Sequence, residues 1–378
     1  MSRPTAKPVV DWPAAAELAA RLTPAGPRAS RGVLDDLVGG LREAASEAVP
    51  HVLATTRMEP VGGVRTVVGG PQDGAAVLGP VAVVDRATWA LANTQVMEAM
   101  TAPVAQALGD EAAPTSAASR LGGAAEVGAL LGLLSTRVLG QFDPYSALAT
   151  EGAGPGRLLL VAPNVLQVER ALDVVPRDFR LWVCLHEQTH ALQFAAAPWL
   201  AEHLRGRVGA LLHDVTRSTV DFSRAPLGTK LAAAGRTVYD VVAGVVKGDG
   251  VAPFDRVMTP DQKAELAEIT AVMALLEGHA DVMMDAVGPR VVRTVRQIRS
   301  RFERRRDGEG SPGLDVVLRR LLGMDAKLAQ YRDGAAFVRA VEEQVGRDGL
   351  NAVWSGPQAL PTAAEIGDAR AWVRRVHG

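Results

Sequence analysis

Two histidines and a glutamate stand together in His186-Glu187-Gln188-Thr189-His190. Four residues apart on a helix, the two imidazoles lie one turn from each other on the same face and can reach one ion. Zinc takes imidazole nitrogen at about 2.0–2.1 Å, and a catalytic site uses three protein ligands with a further position open. Glu187, next to the first histidine, points near that open position. There a carboxylate can take a proton from water and pass it to a leaving amine. The chemistry outlined is zinc-dependent amide hydrolysis. The bare motif also arises by chance, and the alternative is a pair of core histidines hydrogen-bonded to backbone. The context argues against that. The flanks Leu181-Trp182-Val183-Cys184-Leu185 and Ala191-Leu192 are apolar, and burying two histidines and a glutamate without a metal leaves costly polar groups.

A third ligand is expected in Leu275-Leu276-Glu277-Gly278-His279-Ala280-Asp281. Glu277 has apolar neighbours in Val272, Met273, Leu276 and Ala280, which do not belong to a solvated face. Asp281 follows one turn later and supplies a carboxylate for the free N–H of a ligand imidazole, a contact that sets its tautomer. His279 lies about 200° round the helix from Glu277, so the two do not easily share one ion; it is assigned a supporting or core role. His203 and His213 are alternatives for the third position in more polar surroundings, while His51 and His377 read as surface residues. A phenol can donate to the charge that develops on a tetrahedral intermediate; Tyr331 is the candidate, Tyr145 the second, and for either the competing reading is a packing tyrosine. Arg290, Arg293, Arg296 and Arg299 repeat every three residues. They form either a solvated face paired with acids or a clamp for a substrate carboxylate.

The elements that must hold these groups are mostly helices. The motif helix is predicted from Asp178 to about Ala197, where Pro198 stops it. Thr259-Pro260-Asp261-Gln262 is a strong helix start, with Thr as cap, Pro at the first position and Gln at the third. That helix runs to about Ala286, ahead of Gly288-Pro289. Further helices are expected over 12–22, 32–53 and 85–100, over 291–306, up to Gly349 and over 363–376. Residues 124–139 read as a buried core helix, since Glu126, Arg137 and the short length argue against a membrane span. Residues 157–162 are the best strand candidate, Gly140–Tyr145 reads as a turn, and 108–123 and 307–313 as loops.

Composition narrows the class. Of 378 residues, 48% are hydrophobic, 22% charged and 4% aromatic, which describes a globular chain able to bury a core. A net charge of −1 provides no field for nucleic acid or an anionic membrane. Cys184 stands alone, excluding an intrachain disulfide framework. The N-terminus lacks an apolar signal core, and a cytoplasmic location is expected.

Beyond the two metal-site segments, several others point to one family. They are Val83-Val84-Asp85-Arg86-Ala87-Thr88-Trp89 with Asn93, Gly140-Gln141-Phe142-Asp143-Pro144-Tyr145, Gly323-Met324-Asp325-Ala326-Lys327, Gln330-Tyr331 and Leu360-Pro361-Thr362. With them the chain resembles, over nearly its whole length, the zincin-like metallopeptidases of mainly actinobacterial origin, long known as a domain of unknown function. The start at Asp11-Trp12 is more similar to a branch associated with biosynthesis of the deazaflavin coenzyme. The resemblance implies a zincin-like fold with zinc at His186, His190 and Glu277, and the Glu-x-x-x-Asp spacing is similar to that of the gluzincins. The expected architecture is α+β and predominantly α-helical, with a small strand element beside the motif helix. A helical segment over 1–56 continues into a zincin-like unit over 57–378. The expected function is a zinc metallopeptidase acting on a peptide or other amide, with no nucleic-acid or membrane partner. The alternatives are a zinc-binding accessory or scaffold protein without turnover, and a non-peptide amidohydrolase of cofactor metabolism.

Overall fold

The computed structural model describes residues 10–66, 76–108, 116–146, 156–224, 258–306 and 324–378; the side chains of 76, 103–108, 218–224, 305–306 and 324–332 lie outside that description. The expected linker 307–313 falls outside the described residues. The chain is mainly helical with a small sheet. Its core is built around the helix that carries the motif.

Helix α1 (Trp12–Leu22) is capped by Asp11, and α2 (Arg31–Thr56) by Ser30. Two short strands, β1 (Arg65–Thr66) and β2 (Ala76–Val77), pair antiparallel. Strand β3 (Val81–Val84) leads into α3 (Arg86–Leu108), and α4 (Ala117–Leu134) follows. Strands β4 (Gly140–Asp143) and β5 (Arg157–Val161) complete a sheet of order β3-β5-β4, parallel between β3 and β5 and antiparallel between β5 and β4. Then come α5 (Ala162–Leu172), α6 (Pro176–Ala196), α7 (Trp199–Arg224), α8 (Pro260–Ala286), α9 (Val295–Arg306) and α10 (Met324–Leu350). The chain closes with α11 (Ala363–Ile366) and α12 (Ala369–His377).

Helix α6 is buried on nearly every side, packing on α2, α8 and the sheet. Phe179, Leu181, Cys184, Leu185 and Leu192 are fully buried in it. Polar ties fix its position. Gln188 inside the motif donates to the Ala45 carbonyl of α2 at 2.9 Å, and Asp178 accepts from the backbone and hydroxyl of Thr294 at 2.8 and 2.7 Å. Helix α8 starts on the predicted capping box, with Thr259 and Gln262 exchanging hydrogen bonds, so the point in the chain where this helix begins is fixed by local chemistry.

Three expectations are corrected. Gly140–Asp143 is a strand, not part of a turn, because pairing with β5 supplies hydrogen bonds that local sequence does not show. Within the segment expected as loop over 108–123, residues 117–123 are already the first turns of α4, capped by Ser116. That helix ends at Leu134 and is not a buried core helix. Its Gly128 and Gly132 rest on α1, where a Cβ at Gly128 would lie 2.8 Å from that of Leu18. Leu121 and Leu130 are exposed. By length and composition α4 is apolar enough to cross a membrane. A tryptophan anchors the C-terminal segment on the core: Trp372 is fully buried and donates to the Ala359 carbonyl at 2.8 Å.

Candidate metal centre

Helix α6 presents His186 and His190 on one face, and α8 brings Glu277 opposite them. The two Nε2 atoms are 3.2 Å apart, and Glu277 Oε2 lies 3.4 Å from His186 Nε2 and 3.5 Å from His190 Nε2. Ligands bound at zinc distances in a tetrahedron stand about 3.3 Å from one another, so this triangle has the edge that ion requires. Two imidazoles and a carboxylate are also a donor set zinc accepts, leaving a fourth tetrahedral position for water or substrate. Among the described residues these three form the cluster able to hold a metal ion. Their side chains remain partly exposed, at 24%, 13% and 22%, which gives the open position a route to solvent.

Glu187 is not one of the three ligands. It is buried beside them, against β4. A Cβ on Gly140 would lie 2.6 Å from Glu187 Cγ, so only glycine lets the strand approach this closely. The Phe142 backbone N–H donates to the Glu187 carboxylate. Burial, with the Glu277 charge, holds this carboxylate above its ordinary pKa, against the pull of the two imidazoles and the Phe142 N–H. A carboxylate held this way is a stronger proton acceptor than a solvated one.

The remaining candidates divide. Asp281, expected on a ligand imidazole, pairs with Arg299 at 2.7 Å instead, and Arg299 also reaches Asp285 at 2.5 Å and lies over the Trp182 ring. Arg299 comes from α9, which the spacing within α8 does not reveal. Arg290, Arg293 and Arg296 are exposed. The Nδ1 of His190 meets Gln193 Oε1 at 2.9 Å, and that of His186 meets Met284 Sδ at 3.3 Å. Neither partner was singled out from sequence, although Gln193 stands one turn after His190 within an apolar run. His279 is fully buried, reaches Gln193 and packs on Trp354, apart from the ligand triangle. The Tyr145 hydroxyl donates to the Ala201 carbonyl at 3.3 Å, and burial pushes its pKa up to about 12. His203 meets Trp199 edge to face, and His213 lies further along α7; neither joins the cluster. Tyr331 falls in α10, with its side chain outside the described residues.

The model of a family described as zincin-like metallopeptidase matches residues 10–373. The chain belongs to that family. No curated protein matches this zincin-like chain. A solved structure from Chloroflexus aurantiacus, described as "a putative hydrolase with a novel fold", is 27% identical to it. The match covers 97% of this chain and 99% of that one, with a TM-score of 0.60.

The electrostatics of the zincin-like site give a stability test. In protein stripped of metal, burial opposes a charge on His190, but Glu277 and the hydrogen bonds around the ring outweigh it and lift its pKa to about 9. Burial would raise Glu277, yet the two imidazoles hold it well below the usual carboxylate range. Burial lowers His279 to about 3. The signs follow from linkage. The His190 contribution is complete below its unfolded value of 6.5 and is lost as pH rises through about 9. His279 takes a proton in the unfolded chain but not in the fold between about 6.5 and about 3, so it destabilises as pH falls. Glu277 adds a loss in the acid range below about 4.5. Glu187, held above its ordinary value of 4.5, opposes the His279 loss down to that pH, so the melting temperature of the chelated protein is expected to fall as pH rises from about 6.5 to about 9 and to fall again below about 4.5, measured by calorimetry across that range. A monotonic rise from pH 6 to 9 would contradict the assigned ion pair.

Proposed function

We propose that this chain is a zinc-dependent hydrolase that cleaves amide bonds in peptides. The observation that carries the reading is the triangle of His186, His190 and Glu277 ligand atoms, with edges of 3.2, 3.4 and 3.5 Å, set beside a buried carboxylate that is not one of its members. His186 and His190 from α6 and Glu277 from α8 would hold the ion. A zinc ion there supplies Lewis acidity, polarising the scissile carbonyl and acidifying water. Glu187 takes the proton of the attacking water and returns it to the departing amine nitrogen, the carboxylate switching from base to acid within one turnover. The Phe142 N–H and the close Gly140 backbone keep that carboxylate in one place.

A peptide suits the surroundings. Among the described residues strand β4 is at the edge of its sheet, directly against Glu187, and an edge strand offers backbone groups to an extended chain. The description of the Chloroflexus aurantiacus relative as a hydrolase agrees with this reading. A purely structural zinc is disfavoured, because such sites close their coordination with four protein ligands.

The deciding experiment measures metal and turnover on the same preparation. Expected are one zinc per chain by elemental analysis and a coordination shell of two imidazoles and one carboxylate by X-ray absorption. Hydrolysis of a peptide pool should vanish on chelation and return when zinc is added. Zinc bound without turnover of peptides would refute the peptidase; turnover of γ-glutamyl or other non-peptide amides alone would reassign the substrate. Failure to bind zinc would remove the whole mechanism.

A further inference from the structure

We propose that Gln193 and His279 are a positioning pair that holds His190 with its Nε2 lone pair turned toward the metal, an inference that rests on the zinc reading above. Gln193 stands three residues after His190 on α6, on the same face. Its Oε1 is 2.9 Å from His190 Nδ1, and its Nε2 is 2.9 Å from the Leu276 carbonyl oxygen and 3.0 Å from His279 Nδ1. An imidazole nitrogen can donate or accept, and an amide can turn over, so two of these three contacts are compatible with either orientation. The Leu276 oxygen is not, since a carbonyl only accepts. It must face the amide NH2. The other end of Gln193 is therefore the oxygen, which makes His190 Nδ1 the donor and leaves its Nε2 bare. With the amide reversed, His190 Nδ1 would have to accept, and its proton would sit on the nitrogen that faces the ion.

His279 completes the arrangement. It accepts the second amide hydrogen at Nδ1, so its own hydrogen is on Nε2. That atom is buried and has no hydrogen-bond partner among the described residues. An unsatisfied buried donor costs stability, and a leucine or phenylalanine would pack against Trp354 without that cost. What the imidazole provides in return is a second acceptor that opposes reversal of Gln193. The contact with Leu276 also ties α6 to α8 one residue before Glu277, so one side chain orients one ligand and spaces another. His186 lacks such a fixture: its Nδ1 meets the thioether of Met284, a weak acceptor.

The test combines zinc affinity, by competition with a chromophoric chelator, with imidazole nitrogen signals from long-range NMR correlation. Gln193→Leu is expected to weaken zinc binding by about 10–100-fold. Gln193→Glu, whose acid form still accepts from His190 Nδ1 and donates to the Leu276 oxygen as the amide does, should recover part of that loss, a rescue that general loosening of the core would not give. In the unsubstituted, zinc-loaded protein the hydrogen should be on Nδ1 of His190 and on Nε2 of His279. A hydrogen found on His279 Nδ1 overturns the proposal, whether or not the Gln193→Leu protein folds. Undiminished affinity in Gln193→Leu overturns it as well and leaves the metal centre standing. An unsubstituted protein that takes up no zinc removes the metal centre and this role together.

Discussion

Glu187→Gln is expected to slow hydrolysis by about 10²–10⁴-fold, the contribution of a positioned proton-transfer group, while zinc content stays at the unsubstituted level. The separation follows from placement. The three candidate ligand atoms belong to His186, His190 and Glu277, and Glu187 donates none of them. The amide matches the carboxylate in shape, so it fits the space against Gly140 and can still accept the Phe142 N–H. What it cannot do is take a proton from water. The loss should therefore appear in kcat, with KM little changed, because proton transfer is an interaction made only in the transition state. Steady-state kinetics on zinc-verified protein checks this. Equal kcat in the two proteins would take Glu187 out of the mechanism and reassign the proton to another group. Glu187→Ala is the poorer probe, since it opens space at the contact with β4 and mixes a packing change into the rate.

Much of this site was legible before any coordinates because its geometry is local. Two histidines four apart share a helix face whatever surrounds them, and Thr259, Pro260 and Gln262 announce the start of α8 by capping chemistry alone. Glu277 then stood out as an acid within an apolar run. The contacts that escaped are those decided by partners distant in sequence. The Gly-Gln-Phe-Asp-Pro-Tyr segment looks like a turn by composition, and becomes a strand because β5 pairs with it. Asp281 looks like a support for a ligand imidazole by spacing, and is claimed by Arg299 from α9. Gln193 fills the role Asp281 was credited with, accepting the free N–H of a ligand imidazole, but from one turn along the histidine's own helix. An amide is less conspicuous than a carboxylate, and its role depends on the Leu276 carbonyl across the helix interface.

Gly334→Ala should damage the metal centre without touching it. Helices α8 and α10 cross backbone to backbone at a pair of glycines. A Cβ on Gly278 would lie 2.2 Å from the Gly334 carbonyl carbon, and one on Gly334 would lie 1.9 Å from the Ala274 oxygen. The obstacle is main chain on both sides, so no side chain can swing away. Admitting one methyl means separating the helices until that 1.9 Å gap reaches the 3.4 Å of ordinary contact. Glu277 is the immediate neighbour of Gly278, whereas a metal site tolerates departures of about 0.2 Å in ligand distance. Overpacking of this kind costs about 1–3 kcal/mol of stability, and a misplacement near 1 Å can cost about 10²-fold in rate. Gly334→Ala is accordingly expected to lower the melting temperature, weaken zinc binding and reduce hydrolysis by about 10²-fold. Gly39→Ala provides the contrast. It lies in α2 with open space around the added carbon, and should gain roughly 1 kcal/mol from helix propensity with zinc affinity unchanged. If Gly334→Ala kept full zinc affinity, the crossing could open without carrying Glu277 with it. The carboxylate would then have to be held from the α6 side, through the Gln193 bond to Leu276.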